Sequence, residues 1–481
     1  MSKDLNTFLK GFKITDIECK PGQELNLHYN SETFKYFSNG KHVHHIKYLP
    51  QLCKNENDQS GDGKLLNTFL NKDRGLARLS NYVYKKFKPE NIEESISLLP
   101  SPELKDNSSN DPKIKLPISG KVTKLSTIPE VVNSEANINV KQLRLITKLS
   151  QKMNNVQMEM DKKHLRDGNY VFKYRYGKLL SEINKGSFGE IKIFGKKIED
   201  SSDIMNSKYT YCSEGKIFYA VKEFKPKKTD ISMETYKTNI ISEFIIGNSF
   251  FDKCPNILNV FNLMQLPDSK FIQVMELCPC GDLYNYIQLY NKRHHRIHAL
   301  EADCFLKQVL NAVGFMHIHG IAHCDIKLEN ILLYPQGLLK LCDFGSSSVF
   351  QTAWESGIHK QKDKLGTQPY LAPEEHKDEP YDPQLSDCWS CGVVYMTMVL
   401  GHYMWMKASL KDDMSYEKFE YEMKNSKRFH IFEGLSHYYP MRELFRKRVL
   451  YKIFNPDPNE RITVIQLLNT PWINSIDCCQ E

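Results

Sequence analysis

The 481-residue sequence has no apolar run at its start, which reads MSKDLNTFLKGFK, and this predicts a chain without a secretory leader. No Lys/Arg stripe interleaved with aromatic residues stands out. A formal net charge of +7 is modest for this length, so nucleic acid is not an expected partner. The thirteen cysteines are odd in number and scattered, which predicts free thiols in a reducing cytosol. One Cys-x-x-Cys, Cys388 and Cys391, has no second pair at zinc-like spacing and reads as two core cysteines on a helix. The runs His42, His44, His45 and His294, His295, His298 lack acidic or thiol neighbours in the sequence, so each reads as a solvated surface cluster. From Cys388 to Met406 about 19 residues carry no formal charge, near the length of a spanning helix. That stretch holds Ser390, His402 and two glycines and follows Asp387, so a buried helix ending in a loop is expected, with no transmembrane segment. No internal repeat is visible.

What is present is unevenly distributed. Hydrophobic residues make up 41% and charged residues 26%, enough apolar content for a sizeable core. Residues 1–165 contribute little to it. Ser, Asn, Lys and Pro dominate from Asn55 to Asn139, and such a segment cannot bury enough apolar area to offset its ordering entropy. This predicts a largely disordered regulatory tail. Within it, residues at about 9–50 alternate moderately and contain the turn pairs Pro21-Gly22 and Asn39-Gly40, as a small β element or a docking strand would; an extended tail is the alternative. From Tyr170 strand-like runs follow one another: Tyr170 to Ile183, Glu190 to Lys196 and Ile217 to Phe224. Past Glu301 the pattern turns helical, with Phe305, Val309 and Val313 at four-residue spacing. Strands first and helices later predict a β-rich lobe joined to an α-rich lobe.

A phosphoryl-transfer site must hold a triphosphate, offset its charge with Mg²⁺ and place an acceptor hydroxyl in line. The parts occur in order. Gly186-Ser187-Phe188-Gly189 lies between two strand-like runs, where glycine lets backbone N–H groups approach phosphate oxygens. Such hairpins are common and say little alone. Lys222 sits in a strand-like run, and Glu243, about twenty residues on, is placed to orient it by an ion pair. His323-Cys324-Asp325-Ile326-Lys327-Leu328-Glu329-Asn330 is followed by Leu341-Cys342-Asp343-Phe344-Gly345. Asp325 would accept or orient the acceptor hydroxyl's proton, and Lys327 would steady the γ-phosphate. Asn330 and Asp343 offer the hard oxygen ligands that Mg²⁺ prefers. Ile331-Leu332-Leu333 and Leu338 to Leu341 read as a short hairpin that brings the two acids onto one metal site.

With these residues the chain, from about Tyr170 to Ile473, resembles the eukaryotic protein kinase superfamily. The resemblance continues into Gly366 to Glu374, similar to the substrate-side loop and its Ala-Pro-Glu motif, and into Asp387 to Gly392, similar to the buried large-lobe helix whose Asp braces the catalytic loop. It implies an α+β, bilobal fold: a small antiparallel β lobe with one main helix at about 170–276, and a larger, mainly α lobe at about 279–475. Arg461 is placed to pair with Glu374. The implied ATP contacts are Ile183, Gly186, Ser187, Phe188, Gly189, Ile191, Ala220 and Lys222, with Met275 as gatekeeper, the backbone of Glu276 and Cys278 at adenine and Asp282 at the ribose. Lys327 and Thr367 resemble the serine/threonine type more than the tyrosine type, so the implied substrates are proteins with Ser/Thr acceptors.

The sequence departs from the pattern at three places. The first glycine of Gly-x-Gly-x-x-Gly is Asn184, which tolerates positive φ better than most residues. The stretch from Lys197 to Gly215 is longer than usual, and its Ser/Asp/Asn content predicts an exposed loop. The arginine that usually precedes the catalytic Asp, and that pairs with an activation-loop phosphate, is Cys324. This predicts an enzyme that does not depend on that phosphate, with Lys360, Lys362 and Lys364 forming internal pairs instead. The large-lobe wording, including Trp354-Glu355 and Tyr381-Asp382-Pro383, resembles a fungal group of halotolerance, nitrogen-permease-reactivator and polyamine-transport kinases. That implies a cytoplasmic protein, peripheral to the plasma membrane at most, that regulates membrane transporters and ion homeostasis. A catalytically weak pseudokinase scaffold is the alternative reading, supported by Asn184 and Cys324 alone.

Overall fold

The computed structural model describes residues 27–37, 41–49, 52, 175–185, 189–199, 201–227, 231–266, 270–293, 295–352, 357–435 and 440–479. The tail segment 53–174, the turn pairs Pro21-Gly22 and Asn39-Gly40, residues Gly186 to Phe188, His294 and Trp354 to Ser356 lie outside them.

In chain order, three short strands come first: β1 (Leu27–Asn30), β2 (Phe34–Phe37) and β3 (His42–His44). The small lobe follows with β4 (Lys178–Lys185), β5 (Gly189–Lys197), α1 (Ser201–Asn206), β6 (Cys212–Ser213), β7 (Lys216–Phe224), α2 (Met233–Ser249), β8 (Val260–Gln265) and β9 (Phe271–Glu276). The large lobe holds α3 (Leu283–Lys292), α4 (Ala299–Ile318), β10 (Ile321–Ala322), β11 (Ile331–Leu333), β12 (Leu339–Leu341) and β13 (Ser348–Val349). It ends with α5 (Pro383–Leu400), α6 (Met414–Ser426), α7 (His430–Glu433), α8 (Pro440–Ile453), α9 (Val464–Leu468) and α10 (Pro471–Asn474).

The small lobe is an antiparallel sheet in the order β4-β5-β7-β9-β8, with β6 added beside β7. Ser232 starts α2, its Oγ accepting the Thr235 N–H at 2.9 Å, which satisfies one of the helix's orphan donors. Gly247 lets α2 come close to the sheet and the large lobe. A Cβ there would stand 2.7 Å from Val260 and 3.0 Å from Phe344. In the described part of the run that begins at Tyr170, Arg175 and Tyr176 are helical and the strand starts at Lys178.

Helix α4 is buried on nearly every side, which explains why apolar residues outnumber polar ones around its whole circumference. Phe305, Val309 and Val313 are all fully or almost fully buried. Helix α5 packs beside it, with Cys388, Trp389 and Cys391 inaccessible to solvent and both thiols free. It stops at Gly401, whose φ of 76° is left-handed and which returns its N–H to Thr397 O. The uncharged stretch is thus a buried helix and a loop, and among the described residues no helix is long and apolar enough to cross a membrane.

Two expectations change. The stretch 197–215 is not an exposed loop. Its Asp203 is 1% exposed and accepts from Lys196 Nζ at 2.7 Å and Glu199 N at 3.1 Å. Thr210 donates to Phe218 O at 2.6 Å and accepts from Leu277 N at 2.8 Å, so the insert buttresses the segment joining the lobes. Asp203 and Thr210 turn their polar groups inward, each hydrogen-bonded as buried polar groups must be, while Lys208 and Glu214 remain exposed. The histidine run 42–45 is not a solvated cluster either. The β1–β3 sheet docks against α3 and α4, with Phe34 and Tyr36 buried against Leu300. There His44 is 2% exposed between Phe34 and Phe305, ring centroids 4.9 and 5.0 Å away. The chain then runs past the interlobe segment, where Ile46 N donates to Pro335 O and Leu49 N to Pro279 O. Of the second run, His298 caps α4, accepting from Leu300 N at 3.3 Å.

Candidate active site

Strand β7 sits between β5 and β9, with Lys222 opposite Ile191 and Gln273, and Ala220 opposite Ile193 and Met275. Lys222 is 6% exposed and reaches both lobes. Its Nζ is 2.7 Å from Glu243 Oε1 on α2 and 3.0 Å from Asp343 Oδ1 of the large lobe. Burial would lower the ammonium's pKa, but the charges of Glu243 and Asp343 outweigh it, and the pKa lies above the usual lysine value. Asp343 is half-buried, which raises a carboxyl, yet Lys222 opposes this and holds it below its usual value.

Asp343 adopts φ 66°, ψ 79°, in the left-handed region that Asp tolerates better than most residues. The turn is anchored by Phe344, which is buried against His323 and Phe250 with ring centroids 5.8 and 6.4 Å apart. Strands β11 and β12 pair antiparallel, Ile331 opposite Leu341, forming the hairpin expected between Asn330 and Asp343.

Asp325 is 7% exposed and central to a tight cluster. Lys327 Nζ is 2.6 Å from its Oδ2, and Thr367 Oγ donates to its Oδ1 at 2.7 Å. Lys327 Nζ also reaches Thr367 Oγ at 2.9 Å, closing a triangle between the catalytic loop and the segment before Ala-Pro-Glu. The Asn330 amide nitrogen donates to Asp325 O at 2.9 Å. This fixes the amide's orientation and leaves its oxygen as the ligand atom. Together with the ionised Asp343 carboxylate it makes a hard oxygen donor set, which fits Mg²⁺.

The loop carrying these groups hangs on Asp387. One carboxylate oxygen accepts from His323 N at 2.8 Å and lies 2.8 Å from His317 Nε2, and the other accepts from Cys324 N at 2.9 Å. His317 escapes sequence reasoning, since nothing in the periodicity of α4 separates it from its buried neighbours. Glu374 and Arg461 form a bidentate pair at 2.5 and 2.8 Å, and the guanidinium lies over the Trp389 ring at 4.9 Å.

The interlobe segment is tied more firmly than its sequence suggests. The Glu276 carboxylate accepts from Asn259 N, Asn259 Nδ2 and Tyr334 OH and lies 3.2 Å from Lys340 Nζ. Cys278 is 4% exposed. Asp282 caps α3, its two oxygens accepting from Asn285 N and Nδ2 at 2.8 Å each. A helix-start signal was available here, an Asp immediately before apolar residues at helical spacing, Leu283, Tyr286 and Ile287. Ile183 and Ile191 pack against the core from β4 and β5, and Gly189 opens β5 opposite Phe224.

The activation loop corrects another expectation. Lys360, Lys362 and Lys364 are exposed, and among the described residues none forms a close ion pair, Lys360 acting on Asp382 only at longer range. The loop is held by backbone bonds instead. Gln361 and Tyr381 exchange N–H to O bonds at 2.8 Å, His359 N donates to Phe350 O at 2.7 Å, and Tyr381 OH donates to Asp363 O at 2.8 Å. Burial, then the neighbouring carboxylates of Asp387 and Glu375, push the Cys324 thiol well up, so that position carries no charge.

Comparison with known proteins agrees with this arrangement. The protein kinase domain family matches residues 207–473. A relative named "Probable serine/threonine-protein kinase KKQ8" from Saccharomyces cerevisiae is 42% identical over 470 residues, covering 93% of this chain and 64% of the relative. "Probable serine/threonine-protein kinase HAL5-like" of Eremothecium gossypii is 37% identical, covering 93% of this chain and 69% of its own length. "Serine/threonine-protein kinase HAL5" of Saccharomyces cerevisiae is 34% identical, covering 97% and 66%. The chain thus spans a little under two thirds of the first of these relatives. A lysine shared between two lobes, two acids flanking a hairpin, and a family match over more than half of the chain place it in the protein kinase family.

Proposed function

We propose that the chain transfers the γ-phosphate of ATP to serine and threonine hydroxyls of protein substrates. The observation that carries this reading is the position of Lys222, within 3.0 Å of carboxylates from both lobes. Glu243 orients the ammonium, which meets the α- and β-phosphates while Gly186 to Gly189 cover them. The backbone of Glu276 and Cys278 takes adenine, beneath Met275 and between Ile183, Ile191 and Ala220, and Asp282 takes the ribose. Asn330 and Asp343 hold Mg²⁺, whose charge offsets that of the phosphate oxygens. Asp325 accepts or orients the proton of the incoming hydroxyl, and Lys327 steadies the γ-phosphate. Thr367 links Lys327 to Asp325 and favours Ser/Thr over Tyr acceptors. The resemblance of the large lobe to the halotolerance and transport-regulating kinases supports a physiological role in controlling plasma-membrane transporters or ion homeostasis.

The test is a radiolabel assay with purified full-length chain, Mg-ATP and a peptide array, followed by phosphoamino-acid analysis. Phosphoserine and phosphothreonine without phosphotyrosine are expected. Saturable ATP binding with no label in any protein or peptide would instead favour a scaffold.

Lys222→Arg is expected to lower kcat on the order of a hundred-fold, the scale on which a misplaced positioning group acts, because a planar guanidinium cannot occupy the ammonium's place between two carboxylates. Steady-state kinetics check this, and a near-normal kcat would contradict the role.

The neutral Cys324 and the backbone-held activation loop point to activity without a loop phosphate. Phosphatase-treated enzyme, shown by mass spectrometry to be unmodified between Asp343 and Glu374, is expected to keep most of its peptide-kinase activity. Activity that vanishes with a mapped phosphate and returns with it would refute this.

A further inference from the structure

Away from the cleft, four side chains from three distant parts of the chain meet in the large lobe. Their ligand atoms all lie within 4.8 Å of one another: His42 and His44 of β3, Cys304 of α4, and Cys479 beyond α10. His42 Nε2 is 3.0 Å from Cys479 Sγ, and the two sulfurs are 3.4 Å apart. In tetrahedral zinc, Zn–S near 2.3 Å and Zn–N near 2.0 Å put neighbouring ligand atoms about 3.3–3.8 Å apart. The two closest pairs, at 3.0 and 3.4 Å, lie within about half an ångström of that geometry, and the others, within 4.8 Å, are near enough to close on an ion. We propose that His42, His44, Cys304 and Cys479 form a structural Zn²⁺ site that fastens the N-terminal sheet and the C-terminal segment to helix α4.

The local structure explains how the ligands come together. Alternate residues of a strand share a face, so His42 and His44 both turn towards α4 while Val43, 42% exposed, points away. His44 gives the second, independent sign of a ligand. It is 2% exposed, and neither ring nitrogen meets its polar neighbours, Glu301 and Cys304, in hydrogen-bond geometry. A buried imidazole without a well-formed hydrogen bond is costly, and native proteins rarely keep one. Its Nδ1 lies 3.5 Å from Glu301 Oε1, outside hydrogen-bond geometry but on the side where a carboxylate orients a metal-bound histidine. That leaves Nε2 as the ligand atom. Gln308 Nε2 donates to Cys304 Sγ at 3.5 Å, a contact suited to a thiolate.

The charge balance suits the location. Binding releases the protons of both thiols, and two thiolates with Zn²⁺ sum to zero, so the ion and its four ligands add no net charge to the interior. A closed set of two nitrogens and two sulfurs with no open position is that of a structural site and selects zinc over oxygen-preferring ions.

The experiment uses full-length chain expressed with zinc, purified under reducing conditions without chelator or polyhistidine tag, and analysed by elemental mass spectrometry. Zinc equimolar with the chain is expected, falling to background in Cys479→Ser and in His42→Asn. The cobalt-substituted protein should show visible bands of tetrahedral cobalt and a thiolate charge-transfer band, both lost in the same variants. Chelator should lower Tm of the wild type and leave that of Cys479→Ser unchanged. These variants sit at partly exposed positions, and the cobalt spectrum of the wild type reads the site even if a variant misfolds. Background zinc in intact, reduced wild type would overturn the proposal. Unchanged zinc in both variants, or a Cys304–Cys479 disulfide in the purified chain, would overturn it equally.

Discussion

Asp343→Asn is expected to lower kcat by about a thousand-fold or more, the range seen when a charge-stabilising group is removed from a phosphoryl-transfer site. The exchange keeps the shape of the side chain and removes one negative charge. In the proposed reaction that charge would offer Mg²⁺ a carboxylate oxygen, and it provides Lys222 with its large-lobe partner at 3.0 Å. The fold should not suffer. Asn tolerates the left-handed φ of 66° at this position, and Phe344, which anchors the turn, is untouched. Single-turnover kinetics across a magnesium titration, alongside a thermal melt, separate the two effects. A variant with unaltered Tm and near-normal turnover would remove Asp343 from the metal site.

Arg461→Met is expected to destabilise the large lobe by about 3–5 kcal/mol, the cost of leaving a buried charge without its partner. The Arg461 side chain is 0% exposed and that of Glu374 6%. The guanidinium also donates to Leu385 O and Asn455 O, so its loss orphans acceptors on two further segments. Arg461→Lys should recover little, because an ammonium cannot bond both carboxylate oxygens and lie flat over Trp389. Adding Glu374→Gln to Arg461→Met should return part of the loss, since the stranded anion is gone. Urea unfolding of the three variants measures this, and a loss below about 1 kcal/mol for Arg461→Met would mean that water reaches the pair.

The parts of the cleft that could be read from the chain are those set by chemistry at short spacing. Asp325, Asn330 and Asp343 lie within nineteen positions, separated by a hairpin whose apolar residues announce it. Lys222 and Glu243 are 21 residues apart, on elements that follow directly on one another. What escaped notice depends on contacts between remote segments. His42 and Cys479 are 437 positions apart, so a histidine run with no local thiol looked like solvent-facing surface. In residues 197–215 polar composition does not mean exposure, because Asp203 and Thr210 turn their polar groups to the protein interior. The three lysines of the loop show the opposite: their charges face water, and backbone hydrogen bonds invisible in the sequence hold the loop.

The docking of β1–β3 means that the folding unit and the contiguous catalytic stretch do not coincide. A chain trimmed to begin near residue 170 would keep every group of the cleft but strip the cover from Leu300 and Phe305. It would also remove Tyr48, whose ring rests 5.7 Å from Tyr211 of the interlobe buttress. The exposed apolar strip would run along one side of α4, the central strut of the large lobe, and would favour self-association. Residues 27–37 and 41–49 thus belong to the architecture of the large lobe as much as the helices they cover.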